Sequence, residues 1–328
     1  MKSLGPIISE ALRLSATDIH LEENTSVFVR DSEGLHPIEF ICTPHVIADV
    51  KLACSIQDNQ WWSIDTSFTY NQCRVRAHIY RSNQRICGTL RLIYQNSISI
   101  ETDRHKELLK TICTYTDGLV LVTGPTGSAK SYTLACCIEY INNHMKKHIV
   151  TLEDPIEYIF QTKQSLIHQK QLAVDIETMS LGIRDSLRED PDIIMVGELR
   201  DRATMEAALR AAETGHLVLA TMHTQRSIMA VHRIISMFPG EEQDEVRHQI
   251  SQVLRVVLCQ RLLRWDDEFV VVRDILLNTS GVSNLIRNKK ESQIVSLQET
   301  QRPMQTLEMD INILKGIYGS KEEFNTVI

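Results

Sequence analysis

The stretch LVLVTGPTGSAKS, residues 119–131, decides how the chain is read. Five apolar or β-branched residues, the length of a strand, run straight into Gly124-Pro125-Thr126-Gly127-Ser128-Ala129-Lys130-Ser131, and helical spacing begins at Lys130. Strand, glycine-containing loop and helix in that order form a phosphate-binding loop. Main-chain N–H groups of such a loop converge on an anion, and the helix start adds free amides and its dipole. Lys130 is then expected to reach the β- and γ-phosphates of ATP, and the Ser131 hydroxyl to hold Mg²⁺. Residues Gly124 to Tyr132 form the expected nucleotide contact. The usual pattern has glycine directly before the lysine; here Ala129 stands there. If that position needs a positive φ, an alanine is strained by about 1–3 kcal/mol.

Outward from this loop, strand-length apolar runs alternate with helical spacing: HIVTL (148–152), DIIMV (192–196) and LVLAT (217–221) separate helices at 130–144, near 178–189 and at 203–213. Continuous apolar runs between helices predict strands covered on both faces, hence a parallel sheet and an α/β fold. Residues 1–95 follow a different pattern. A short amphipathic helix over 3–14 precedes near-alternating stretches at 27–31, 68–80 and 88–94, expected as strands of a small α+β domain. QNSISIETD (95–103) is expected as a linker, which divides the chain into domains at 1–98 and 99–328. The last 45 residues are expected to be mostly helical.

The formal net charge of −7 argues against a dedicated nucleic-acid binder. Gly (13) and Pro (8) are too sparse for a low-complexity or collagen-like chain. No apolar run approaches the roughly 18–20 residues of a membrane span, and the start has no extended apolar region of a signal peptide, so a cytoplasmic protein is expected. None of the eight cysteines forms a C-x-x-C pair, which predicts reduced, mostly buried thiols and no zinc module.

Carboxylates follow the expected strands. Glu153, Asp154 and Glu157 lie at the carboxyl end of the 148–152 strand, which is expected beside the loop's own strand, at the edge where open α/β sheets bind ligands. The 192–196 strand ends in Gly197-Glu198, and Glu198 is expected to face Mg²⁺ through a water or to polarise the attacking water. The residues leave both Glu157 and Glu198 as candidates for the base. His223, after the 217–221 strand, is placed to sense the γ-phosphate; His216, behind Gly215, reads equally as a helix cap.

Together, GPTGSAKS (124–131), VTLEDPIEY (150–158), REDPDIIMVGELRD (188–201) and AAETGHLVLATMHT (211–224) resemble the Walker A, Asp box, Walker B and His box of the secretion-superfamily ATPases. SATDIHL (15–21) resembles the opening motif of that family's PAS-like N-terminal domain. FPGEEQDEVRHQIS (238–251) and VLCQRLLR (257–264) look like its C-terminal helices. Gly281-Val282-Ser283-Asn284-Leu285-Ile286-Arg287 resembles the A-I-R-N-L-I-R-E motif of PilT-type retraction ATPases, with Asn-Leu-Ile-Arg intact and the opening Ala-Ile-Arg replaced.

The resemblance implies a RecA-like ATPase domain behind a PAS-like domain, a ring of six, and a motor that depolymerises type IV pili through an inner-membrane platform protein. It implies ATP and Mg²⁺ as ligands, no nucleic acid, and a place at the cytoplasmic face of the inner membrane, held there by partners. It also implies that N-terminal arginines complete the nucleotide site; Arg74 and Arg91 match those positions, Arg81 and Arg85 are one residue out of step, and Arg76 stands where the family commonly has Asn. An arginine finger sets a permanent positive charge against developing phosphate charge. Three rivals are weighed against this motor: a pilus-assembly or type II secretion ATPase, disfavoured by the missing cysteine module; a poorly catalytic ring subunit, suggested by Ala129; and a nucleic-acid translocase, disfavoured by the charge.

Overall fold

Leu4, Ile7, Ile8 and Ala11 recur at three-to-four spacing, and in the computed structural model they are the buried face of α1 (Leu4–Arg13). The described residues are 2–54, 56, 61–71, 73–93, 98–265, 268–318 and 325–326. They fall into two units: Met1–Ser97 with Asp154–Ile159, and Ile98–Glu153 with Phe160–Ile328.

In the first unit, α1 leads into β1 (Asp18–Glu22), β2 (Ser26–Asp31), β3 (Gly34–Ile41), α2 (Pro44–Ala53), β4 (Ser63–Tyr70), β5 (Cys73–Ser82) and β6 (Arg85–Ile93). The strands form one antiparallel sheet in the order β3-β2-β1-β6-β5-β4. Along β2 the side chains alternate, Val27 and Val29 inward and their neighbours outward, as expected of a sheet covered on one face. The helices supply that cover: Leu4, Ile7 and Ile8 of α1 and Val46, Ile47 and Val50 of α2 join Ile19, Val75, Ile79 and Leu90 in one core. The single strand expected at 68–80 is two strands of a hairpin. The chain turns at Asn71, whose φ of 43° lies in the left-handed region that asparagine tolerates. Of the expected linker, residues 95–97 lie outside the described residues; its remainder forms a short 3₁₀ turn, Ile100–Thr102, with Ile100 buried in the second unit.

The second unit runs α3 (Lys106–Cys113), β7 (Gly118–Thr123), α4 (Lys130–His144), β8 (His148–Glu153), β9 (Leu166–Gln171), α5 (Met179–Ser186), β10 (Ile193–Val196), α6 (Arg202–Glu213), β11 (Leu217–Met222), α7 (Ser227–Ser236), α8 (Gln243–Val253), β12 (Leu254–Trp265), β13 (Glu268–Leu277), α9 (Ser280–Arg287), α10 (Ile294–Thr300), α11 (Leu307–Tyr318) and β14 (Asn325–Thr326). The sheet order is β13-β12-β7-β11-β10-β8-β9, with β14 on β12. All pairings from β12 to β9 are parallel, and β13 and β14 pair antiparallel. Every residue of β7, β10 and β11 is buried, because helices cover both faces.

Two expectations fail here. The 148–152 strand is not beside the loop's strand: β11 and β10 lie between β7 and β8, so β7 is flanked by β11 and β12. Chain order does not set strand order when a crossover helix leaves room that later strands fill. Residues 257–264 are not a helix but the middle of β12. Val256, Val257, Leu258, Cys259 and Gln260 are buried in succession, and α8 passes into β12 with no turn residues between them. Burial on both faces removes the alternation that marks a strand.

Candidate nucleotide site

The loop between β7 and α4 has the shape its residues imply. Gly124, Gly127 and Ala129 all have positive φ, 146°, 79° and 63°. At Gly124 a side chain has no room: a Cβ would collide with the Gln260 carbonyl and lie 2.6 Å from Ser128 Oγ. Ala129 occupies the left-handed region, with ψ 30°, immediately before α4, and no side chain caps that helix start. The first amides of α4 are therefore left for another acceptor, the arrangement that suits a phosphate. Pro125, Thr126, Gly127 and Ser131 are exposed, while Ser128 is buried and its hydroxyl donates to the Pro125 carbonyl at 2.8 Å.

Lys130 is buried, and its ammonium donates to the carbonyls of Gly124 (3.0 Å) and Pro125 (2.9 Å). It also lies 3.5 Å from Nδ1 of His223. On the other side of the ring, Nε2 is 3.3 Å from Glu198 Oε1, and Glu198 Oε2 accepts from Arg200 Nε at 2.8 Å. An ammonium has no lone pair, so Nδ1 of His223 accepts and the ring proton sits on Nε2, facing the carboxylate. The structure thus joins the ends of β7, β10 and β11 in one row of polar groups, in which the His223 ring links Lys130 to the Glu198–Arg200 pair. This row depends on β11 lying between β7 and β10. Thr221 fastens the same edge, its hydroxyl donating to the Gly197 carbonyl.

Other expected site residues are placed elsewhere. Tyr132 turns from the loop into the core under α4; burial pushes its phenol up, and the hydroxyl lies by Cys136 and the Ser99 main chain. Glu157 belongs to the first unit, half-buried on the Asp154–Ile159 segment. Arg74 is buried in that unit and donates to the Ile156 carbonyl at 3.0 Å, to Thr69 Oγ1 at 3.2 Å and to Ser67 Oγ. Arg76 pairs with Asp65, and that hydrogen bond, offset by burial and aided by the charges of Asp65, Glu157 and Asp154, raises the Arg76 pKa. Arg91 is exposed, with Nε 2.8 Å from the buried Asp18. His216 reaches the Ala211 carbonyl, the capping role open to it from sequence.

Two polar residues missed in the sequence lie beneath the loop. Gln260 of β12 is fully buried; its Nε2 donates to the Ser128 carbonyl at 2.5 Å, and its Oε1 accepts from Thr133 Oγ1 at 3.1 Å. Arg273 of β13, also fully buried, donates to Thr133 Oγ1 at 3.3 Å and grips Asp103 with both Nη atoms at 2.6 and 2.7 Å. Burial pushes the Asp103 carboxyl up, but the hydrogen bonds and charge of Arg273, with help from His105, hold it below its ordinary value. The available signal is weak: each heads a polar pair, Gln260-Arg261 and Arg273-Asp274, set into a strand run that is otherwise apolar, and buried polar groups need partners.

Among the described residues, no cluster of three or more His, Cys, Asp or Glu could hold a metal by itself, and no helix is long and apolar enough to cross a membrane. The eight cysteines are free thiols, with Cys54 alone not fully buried.

Residues 64–310 match the family profile described as Type II/IV secretion system protein. The type IV pilus retraction ATPase PilT of Pseudomonas aeruginosa is 35% identical over 322 residues, covering 95% of this chain and 92% of that protein. A twitching motility protein of Neisseria gonorrhoeae is 40% identical over 256 residues, 76% of this chain and 68% of its own length. Among solved structures, the pilus retraction motor PilT with bound ADP superposes with a TM-score of 0.86 at 36% identity, covering 96% of this chain and 93% of that one. The ATPase DotB of Legionella pneumophila gives 0.83 at 25% identity, covering 96% and 92%.

Proposed function

The chain belongs to the Type II/IV secretion system protein family and is a nucleotide-binding P-loop ATPase of the PilT type; on that premise we propose that it powers the retraction of type IV pili as a ring of six. The observation that carries the proposal is whole-chain similarity to a retraction motor together with the Lys130–His223–Glu198 row at the loop. Lys130 leaves its own loop carbonyls for the β- and γ-phosphates of ATP, and the loop amides from Gly124 to Ser131 take the rest of the charge. Ser131, exposed on the first turn of α4, and Glu198, through water, would hold Mg²⁺, whose charge neutralises the phosphates. His223 and Glu198 read the γ-phosphate and orient the attacking water, and Glu157 is the second carboxylate offered as base. Arg74 and Arg91 would supply positive charge from the N-terminal unit.

Loss of γ-phosphate contacts then releases one domain to move against the other, the logic of a nucleotide switch. The motion would pass to an inner-membrane platform protein at the cytoplasmic face, and the pilus would shorten by losing subunits. Deleting the gene and counting pili by electron microscopy tests this. Excess pili with lost twitching support retraction; bald cells mean an assembly motor. Purified protein adds the enzymatic half: Mg-ATP hydrolysis that disappears in Lys130→Ala supports the motor, whereas a silent native chain indicates a ring subunit that needs an active partner.

A further inference from the structure

Ala129 sits where a phosphate loop usually has glycine, and its φ of 63° is one that an L-residue with a Cβ adopts only under strain. Such strain persists only where the surroundings over-determine the conformation. The peptide leading into Ala129 starts at the Ser128 carbonyl, the group that Gln260 Nε2 holds at 2.5 Å. Gln260 has no freedom to turn. Arg273 can only donate, so Thr133 Oγ1 accepts from it and sends its own proton to Gln260 Oε1. A flipped amide would set Oε1 against the Ser128 carbonyl oxygen. Arg273 is fixed in turn by the bidentate Asp103 contact. The donors therefore point one way, from Arg273 through Thr133 and Gln260 to the loop, and all four side chains are largely buried.

We propose that Gln260 is a positioning residue for the nucleotide: its amide pins the Ser128–Ala129 peptide so that an alanine keeps the left-handed turn needed to aim the loop amides at phosphate. Without that hydrogen bond the alanine relaxes toward negative φ and the anion cradle opens. A glycine at 129 would need no such support, because it adopts positive φ freely. The role of Gln260 is thus tied to the departure from the usual loop pattern in this chain. The inference rests on the nucleotide reading above.

The test is a two-by-two comparison of Mg-ATP affinity by calorimetry on the full chain: native, Gln260→Met, Ala129→Gly, and both together. Melting curves run beside it to confirm folding. The relaxed loop is expected to bind about tenfold more weakly in Gln260→Met, equivalent to about 1.4 kcal/mol. In the Ala129→Gly background the same change is expected to cost less than about threefold. Gln260→Glu, which removes the donor to Ser128 but keeps the acceptor for Thr133, serves if Gln260→Met fails to fold. Equal weakening in both backgrounds, or unchanged affinity in Gln260→Met, overturns the proposal. If the native chain binds no Mg-ATP, the nucleotide reading itself falls.

Discussion

His223 and Glu198 meet across two neighbouring strands, with Nε2 of the ring 3.3 Å from Oε1 of the carboxylate. The opposite ring nitrogen faces the Lys130 ammonium at 3.5 Å. A single imidazole therefore bridges the lysine proposed to bind phosphate and the carboxylate proposed to act on water. Glu198→Gln keeps the size and the Arg200 contact but removes the charge. It is expected to lower kcat by about 10²–10³-fold with Mg-ATP binding changed less than about threefold, measured by steady-state hydrolysis and calorimetry. Parallel loss of binding would assign Glu198 to the ground state.

Lys130→Ala is expected to weaken Mg-ATP binding by about 10–100-fold, the worth of a charge-assisted hydrogen bond. The fold should survive, since the hydrogen bonds of the ammonium are to carbonyls of its own loop. Circular dichroism alongside binding checks both halves.

Ala129→Gly removes about 1–2 kcal/mol of left-handed strain but gives back about 0.4–1 kcal/mol by loosening the unfolded chain. A net gain of about 0.5–1 kcal/mol in denaturant unfolding is expected. A clear loss of stability would show that the alanine methyl makes favourable contacts.

The Arg273–Asp103 pair makes an acid-side prediction. The folded Asp103 carboxyl lies below its ordinary value, because the guanidinium outweighs burial; Asp310, held by His105, the Arg273 amide and Arg104, is also lowered against its burial. Lowered folded pKa values mean the unfolded chain binds more protons on the acid side. The stabilisation is full above the unfolded value of about 3.9 and is lost as pH falls through the folded values. Arg273→Met is expected to cost about 3–5 kcal/mol at neutral pH, by leaving Asp103 without its buried partner, and to flatten stability against pH below about 4. Urea unfolding between about pH 3 and pH 7, the window in which those carboxylates titrate, checks both.

Arg91 and Arg74 separate function from stability. Arg91 is largely exposed but its partner Asp18 is buried, so Arg91→Lys, which keeps a cation beside that carboxylate, should change stability by less than about 1 kcal/mol. A hydrolysis loss greater than about tenfold in that variant would then report its proposed role at the phosphates. Arg74→Ala removes a buried guanidinium from the Ile156 carbonyl, Thr69 and Ser67, and should destabilise by about 2–3 kcal/mol, visible as a lower Tm.

Much of the site was legible because its signals are local. GPTGSAKS announces a loop and a helix start through glycine, lysine and spacing, and Glu198 and His223 each follow an apolar strand. The contact between them was not legible, since it depends on β11 lying beside β10. Gln260 and Arg273 are not legible as site residues, because a polar residue in a strand run does not reveal which distant group it meets. Residues 257–264, which resemble a family helix, lie in β12, and burial on both faces leaves no alternation to mark them as strand.

By itself the sequence determined the phosphate loop, the alternation of buried strands and helices after it, and the half-covered strands before it. Those features follow from periodicity, turn chemistry and side-chain type within a few residues. Only the tertiary structure decided the strand order, the return of Asp154–Ile159 to the first unit, and the hydrogen bond from Gln260 to Ser128 across 132 positions. Hydrophobic patterning records which side of an element is dry, not which element lies against it.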